Sequence, residues 1–146
     1  MGRGVRALEI NDVATGGCLC GRVSYRLAKD PLLTAICHCT HCQKQSGAAF
    51  SVNLVVQAAD LVIAGDMASF EDRGDSGNMI HRRFCASCGS PIITVPVGKP
   101  GIVYLKAGTL NDTSGIDPAV QIWCSSAQSW WPPETELTAF DQNMPG

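Results

Sequence analysis

The chain has 146 residues, 45% of them hydrophobic and 16% charged, with 11 Lys and Arg against 13 Asp and Glu for a formal charge of −2. That length suits one domain over 1–146 with a modest core, and the composition is too apolar for disorder. No run of Lys or Arg is long enough to track a phosphate backbone, and no stretch approaches the ~18 apolar residues of a membrane span, so neither nucleic acid nor a membrane is an expected partner.

Between Met1 and Gly17, the residues Arg3, Arg6, Glu9 and Asp12 interrupt any signal-peptide core, and Arg6 stands where a myristoylation motif wants Ser or Thr. The expected setting is the cytoplasm. The first element with chemistry is Gly16-Gly17-Cys18-Leu19-Cys20-Gly21. On an extended segment, residues two apart face the same side, and the flanking glycines let the backbone close around an ion.

Val23, Tyr25 and Leu27 then alternate as in a strand, up to a break at Asp30-Pro31. The run Ile36-Cys37-His38-Cys39-Thr40-His41-Cys42-Gln43 places three thiols within six residues, and 41–46 fits a short helical turn. Phe50, Val52, Leu54 and Val56 share one face of the next strand, and further short strands are predicted over 61–64, 79–84, 92–97, 102–107 and 120–124. Breakers separate them at 73–77, 98–101 and 111–118. The tail from Trp130 to Gly146, with Trp130-Trp131-Pro132-Pro133, reads as an irregular closing segment. The whole is an all-β pattern.

Within it, Phe84-Cys85-Ala86-Ser87-Cys88-Gly89 has the form of a zinc knuckle. A glycine after the second cysteine permits the positive-φ turn that aims backbone N–H groups at the sulfurs. Clustered spacing favours metal over disulfides, since cysteines two or three apart rarely bridge each other but can converge on one ion. A knuckle supplies two ligands and a closed site needs four, so Cys18 and Cys20 are the natural partners of Cys85 and Cys88 in a structural zinc site. Cys37, Cys39 and Cys42 then remain as three ligands, which leave a tetrahedral zinc one open position, the mark of a catalytic site. His38, His41 or Cys124 could instead close that site as a fourth ligand.

The roles of single residues stay open at this level. His38 and His41 suit acid–base work or a water-exposed turn equally. Cys124 is expected to be a small buried hydrophobe, and His81 to take an exposed cross-strand role. Arg82 and Arg83 could meet a substrate carboxylate or lie on a solvated strand face. Trp123, Trp130 and Trp131 could wall a pocket or fill core.

In order, Gly-Gly-Cys-x-Cys-Gly, Cys-His-Cys-x-x-Cys, Ser46-Gly47-Ala48, Cys-x-x-Cys-Gly and Gly108-Thr109-Leu110-Asn111-Asp112 resemble the glutathione-dependent formaldehyde-activating enzyme family, which also includes centromere protein V. The resemblance runs from about Thr15 to Trp131, and Gln121-Ile122-Trp123-Cys124 departs from the family's usual late strand, which often begins His-Ile. It implies a β-tent fold of small antiparallel sheets, a structural zinc on Cys18, Cys20, Cys85 and Cys88, and a second zinc on Cys37, Cys39 and Cys42. The implied activity joins glutathione to formaldehyde, a reversible carbon–sulfur lyase reaction with a small thiol and a small aldehyde as partners. The alternative is a non-enzymatic, zinc-stabilised module that binds a protein partner, with a closed second site.

Overall fold

Alternation of apolar and polar residues builds two sheets here, and the computed structural model describes them over residues 12–131 and 136–145. Residues 1–11 and Pro132-Pro133, on which parts of the N-terminal and tail readings fall, lie outside that range. Strands β1 (Ala14–Gly17), β2 (Ser24–Leu27) and β5 (Leu61–Ala64) form an antiparallel sheet in the order β1-β2-β5. The second sheet contains β3 (Leu33–Cys37), β4 (Ser51–Gln57), β6 (Met67–Arg73), β7 (Met79–Cys85), β8 (Pro91–Pro96), β9 (Ile102–Lys106), β10 (Val120–Ile122) and β11 (Thr138–Ala139). Its order is β11-β10-β3-β4-β9-β8-β7-β6, antiparallel throughout except that β10 runs parallel to both β3 and β11. The mainly β expectation holds, with one helix, α1 (Thr40–Ser46), among the described residues.

The two sheets share one core. Val23, just before β2, and Tyr25 and Leu27 of β2 meet Leu54, Val56, Ile93, Val103 and Leu105 from the large sheet, all buried. Each such side chain removed from water contributes about 1.5–3 kcal/mol. Tyr25 brings its hydroxyl into this core and satisfies it: the oxygen lies 2.7 Å from Thr109 Oγ1, whose own hydroxyl donates to the Lys106 carbonyl at 2.7 Å. Asn111 completes the clasp by donating its backbone N–H to the Thr15 carbonyl at 2.9 Å. The Gly108-Thr109-Leu110-Asn111-Asp112 stretch is therefore a fastener between β9 and β1. Gly16 leaves room for it, since a Cβ there would stand 2.2 Å from the Tyr25 hydroxyl and 2.4 Å from the Thr109 carbonyl.

Side chains alternate across a sheet, so the apolar set of β4, β8 and β9 faces the core and the intervening residues face away. On that second face lie Ser51, Asn53, Thr94 and Lys106, and α1 packs over it, with His41 reaching Asp72 of β6. Among the described residues no helix is long and apolar enough to cross a membrane.

Candidate metal centres

The structure brings the cysteines together in two groups, and both are the groups that spacing pairs. Cys18, Cys20, Cys85 and Cys88 place their sulfurs within 4.8 Å of one another, although the two halves are separated by more than sixty residues. Their sulfurs are not bonded to each other, as all eight cysteines are free thiols. Tetrahedral coordination with metal–sulfur bonds of about 2.3 Å requires sulfurs about 3.8 Å apart. Cys18 to Cys20 is 3.5 Å and Cys20 to Cys85 is 3.7 Å, so the donor set fits a thiophilic ion.

Local backbone produces this arrangement. Gly89 takes φ +80°, and its N–H donates to the Cys85 carbonyl at 2.9 Å. The N–H groups of Ser87 and Cys88 then point at Cys85 Sγ, at 3.3 and 3.4 Å, as a knuckle requires. On the other half, Val23 N–H donates to Cys18 Sγ at 3.2 Å. Cys88 is held down to about 5, first by the Ser90 hydroxyl 3.2 Å away. Cys85 is buried in the core and Cys18 and Cys88 pack against it, so this cluster sits at the seam of the two sheets.

Cys37, Cys39 and Cys42 form the second group, their sulfurs also within 4.8 Å of one another. Cys37 ends β3, Cys39 caps α1 and Cys42 lies in its first turn, with Cys42 N–H donating to Cys39 Sγ at 3.2 Å. Each is only 6–7% exposed. Among the described residues no other His, Cys, Asp or Glu offers a ligand atom within that distance, so His38, His41 and Cys124 do not complete the set. Three crowded thiols share their protons unequally. Cys42 is pushed far below the ordinary thiol range by hydrogen bonds from Cys37 and Cys39 and by the Lys106 ammonium, while Cys37 is pushed far up as the donor. A cation bound at the centre would remove that competition, which is what the donor chemistry suits.

The neighbours settle several open roles. His38 is fully buried, with Nε2 3.0 Å from Gln121 Oε1 and its ring against Phe50 and Trp131, so the water-exposed turn is excluded. His41 turns away from the sulfurs, with Nδ1 2.9 Å from Asp72 and Nε2 3.1 Å from Asp75. Arg82 is not on a solvated face: it is 3% exposed and its Nε donates to Asp72 Oδ2 at 2.8 Å. Burial would raise the Asp72 carboxyl, but Arg82 and His41 outweigh that and hold it below its usual range. His81 takes the expected cross-strand place opposite Glu71. Cys124 is half-buried and lines a cleft of about 300 Å³ with Gln121 and Trp131, while Trp130 lines one of about 500 Å³ beside Gln43 and Lys44. Trp123 packs on the Cys37, Cys39 and Cys42 group, held at φ +58°.

Sequence reasoning missed Gln43, Asn53 and Lys106. Gln43 Nε2 donates to the carbonyls of His38 at 2.8 Å and Ser126 at 2.9 Å, tying the cysteine loop to the late segment. Lys106 is 9% exposed and donates to Asn53 Oδ1 at 2.9 Å, and burial pushes its ammonium below the usual lysine range against the opposing pull of Cys42, Cys37 and Cys39. The available signal was a polar residue standing in an otherwise apolar strand, at Asn53 and at Lys106.

The sequence profile described as glutathione-dependent formaldehyde-activating enzyme matches residues 13–126, a span that contains both cysteine groups. No curated protein matches the chain. Among solved structures, a Rhodobacter sphaeroides protein is similar in fold, 18% identical with a TM-score of 0.53, over 71% of this chain and 91% of that one. The chain belongs to the glutathione-dependent formaldehyde-activating enzyme family.

Proposed function

We propose that the chain is a zinc-dependent carbon–sulfur lyase that adds a small thiol to a small aldehyde, with glutathione and formaldehyde as the pair, in a cytoplasmic setting. In this reading Cys18, Cys20, Cys85 and Cys88 hold a structural zinc, and Cys37, Cys39 and Cys42 hold a second, catalytic one. The carrying observation is the set of three converging sulfurs with no fourth side-chain ligand among the described residues. Bound there, zinc supplies Lewis acidity and stabilises a thiolate near neutral pH.

The reaction converts S–H and C=O into S–C and O–H, with no change of oxidation state overall. The residues of the chain contribute position and dryness. Cys39 caps α1 and so fixes the spacing of Cys39 and Cys42, Gln43 pins the loop, and Trp123 covers the group with apolar surface. Burial of the three sulfurs strengthens every charge interaction at the site relative to water.

Exchange spectroscopy on isotope-labelled formaldehyde mixed with glutathione reads the interconversion directly. The protein is expected to accelerate it, and Cys39→Ser to abolish the acceleration while leaving the fold intact. A wild-type protein that leaves the exchange rate unchanged contradicts the proposal.

A further inference from the structure

Cys37, Cys39 and Cys42 are each only 6–7% exposed, so a molecule that is to meet their sulfurs has to displace a cover. The apolar side chains packed on the group are Ile122 and Trp123. Ile122 ends β10, paired with Cys37 of β3, and leaves only if the sheet comes apart. Trp123 lies one residue past the strand, outside that ladder.

Its backbone is an exception in the fold. At φ +58° and ψ +38°, Trp123 is the one non-glycine residue with positive φ among the described residues. A bulky L side chain is disfavoured there by contact between its Cβ and the carbonyl oxygen, so the conformation persists only where its surroundings hold it. The segment that follows β11 does the holding. Trp123 N–H donates to the Gln142 carbonyl at 3.1 Å, and its indole Nε1 donates to Asn143 Oδ1 at 2.8 Å. Cys124 N–H donates to the Phe140 carbonyl at 3.0 Å and Ser125 N–H to that of Asp141 at 3.2 Å.

This strap is fastened by surface hydrogen bonds. Asp141, Gln142 and Asn143 are exposed, and β11 is a two-residue strand at the sheet edge with both residues exposed. A segment with few buried apolar contacts opens locally at far lower cost than the sheet unfolds.

We infer that Trp123 and the strap 138–143 form a lid over the three-cysteine group, closed in this structure and opened by release of the strap. Release removes what keeps residue 123 left-handed, so its backbone returns to negative φ and the indole leaves the sulfurs. The indole is both cover and latch, since its ring packs on the group while its Nε1 is bonded to the strap. Trp123 is a positioning residue here, setting how often the group is open. The inference takes that group as the site proposed above and adds how a ligand reaches it.

Alkylation of the protein as isolated tests this, with iodoacetamide added, samples quenched at intervals, and each cysteine group read by peptide mass spectrometry. Asn143→Ala, a change at an exposed position, is expected to speed alkylation of Cys37, Cys39 and Cys42 about fivefold, the population effect of one lost hydrogen bond. The rates at Cys18, Cys20, Cys85 and Cys88 should stay as in wild type. Trp123→Phe removes the same bond from its other end, so adding Asn143→Ala to it should give no further gain. Equal rates at the three cysteines in wild type and Asn143→Ala overturn the lid, as does a rise shared by both cysteine groups, which marks general loosening. A protein that shows the expected rates but leaves the formaldehyde exchange rate unchanged keeps the lid and loses the lyase reading.

Discussion

Tyr25 is fully buried, and alkaline pH should reveal it. Burial pushes its phenol from 10.0 up to about 12, against a smaller opposing effect from Thr109. In the unfolded chain the phenol ionises at its ordinary value near 10. The neutral form is thus favoured by folding, so its stabilisation is fully present below about pH 10 and is lost as pH rises through about 12. A shift of about two units at about 1.36 kcal/mol each gives roughly 2.7 kcal/mol. Urea unfolding of the zinc-loaded protein, followed from neutral pH upward, should show this loss, and Tyr25→Phe should remove that part of the slope. At neutral pH the same variant should cost about 1 kcal/mol, for the hydroxyl that Thr109 no longer meets. Tyrosinate absorbance gives an independent reading, with a step near pH 12 that Tyr25→Phe removes. If the absorbance that Tyr25→Phe removes appears near pH 10 with the fold intact, the burial argument fails.

Other perturbations probe the sites. Asp72→Ala should destabilise by about 3 kcal/mol in denaturant, since it takes from the buried Arg82 guanidinium its carboxylate partner, and a cost below about 1 kcal/mol would show the pair to be dispensable. Gly16→Ala should cost about 1–3 kcal/mol, because its methyl must displace the Tyr25 hydroxyl; an unchanged urea midpoint would count against that contact. Cys85→Ser should lose metal and cooperative unfolding together, whereas Cys39→Ser should lose one metal equivalent and keep its near-ultraviolet circular dichroism.

Much of this was legible in the residues, for identifiable reasons. Both cysteine groups were legible because metal coordination needs short local spacings, and Cys18-x-Cys20 and Cys85-x-x-Cys88 show them in the chain. Strands β2, β4 and β9 were legible because one side carries the apolar core residues and alternation records it, and β7 and β8 were legible as short apolar-containing runs bounded by turn residues. Strand β3 was not: Leu33–Cys37 grades from half-buried to buried on both faces, so it has no alternation to read. Strand β6 was missed for the opposite reason, as an edge strand whose Ser69, Phe70 and Glu71 are all exposed. His38 could not be placed because the Phe50 and Trp131 rings that enclose it are distant in sequence. The same holds for Lys106 and Arg82, whose burial depends on register across β7, β8, β9 and β4 and on a helix packed over them. Charge on a strand normally signals solvent, and only the three-dimensional placement of the thiols reverses that inference here.

The central claim is that Cys37, Cys39 and Cys42 hold a metal with a position left for a thiol. A native mass spectrum of the unheated protein, taken without chelator and with excess glutathione, counts metals and ligand at once. The account predicts two zinc ions and one glutathione per chain, with the glutathione and one zinc lost in Cys39→Ser. Two zinc ions and no thiol adduct in the wild-type protein would contradict it.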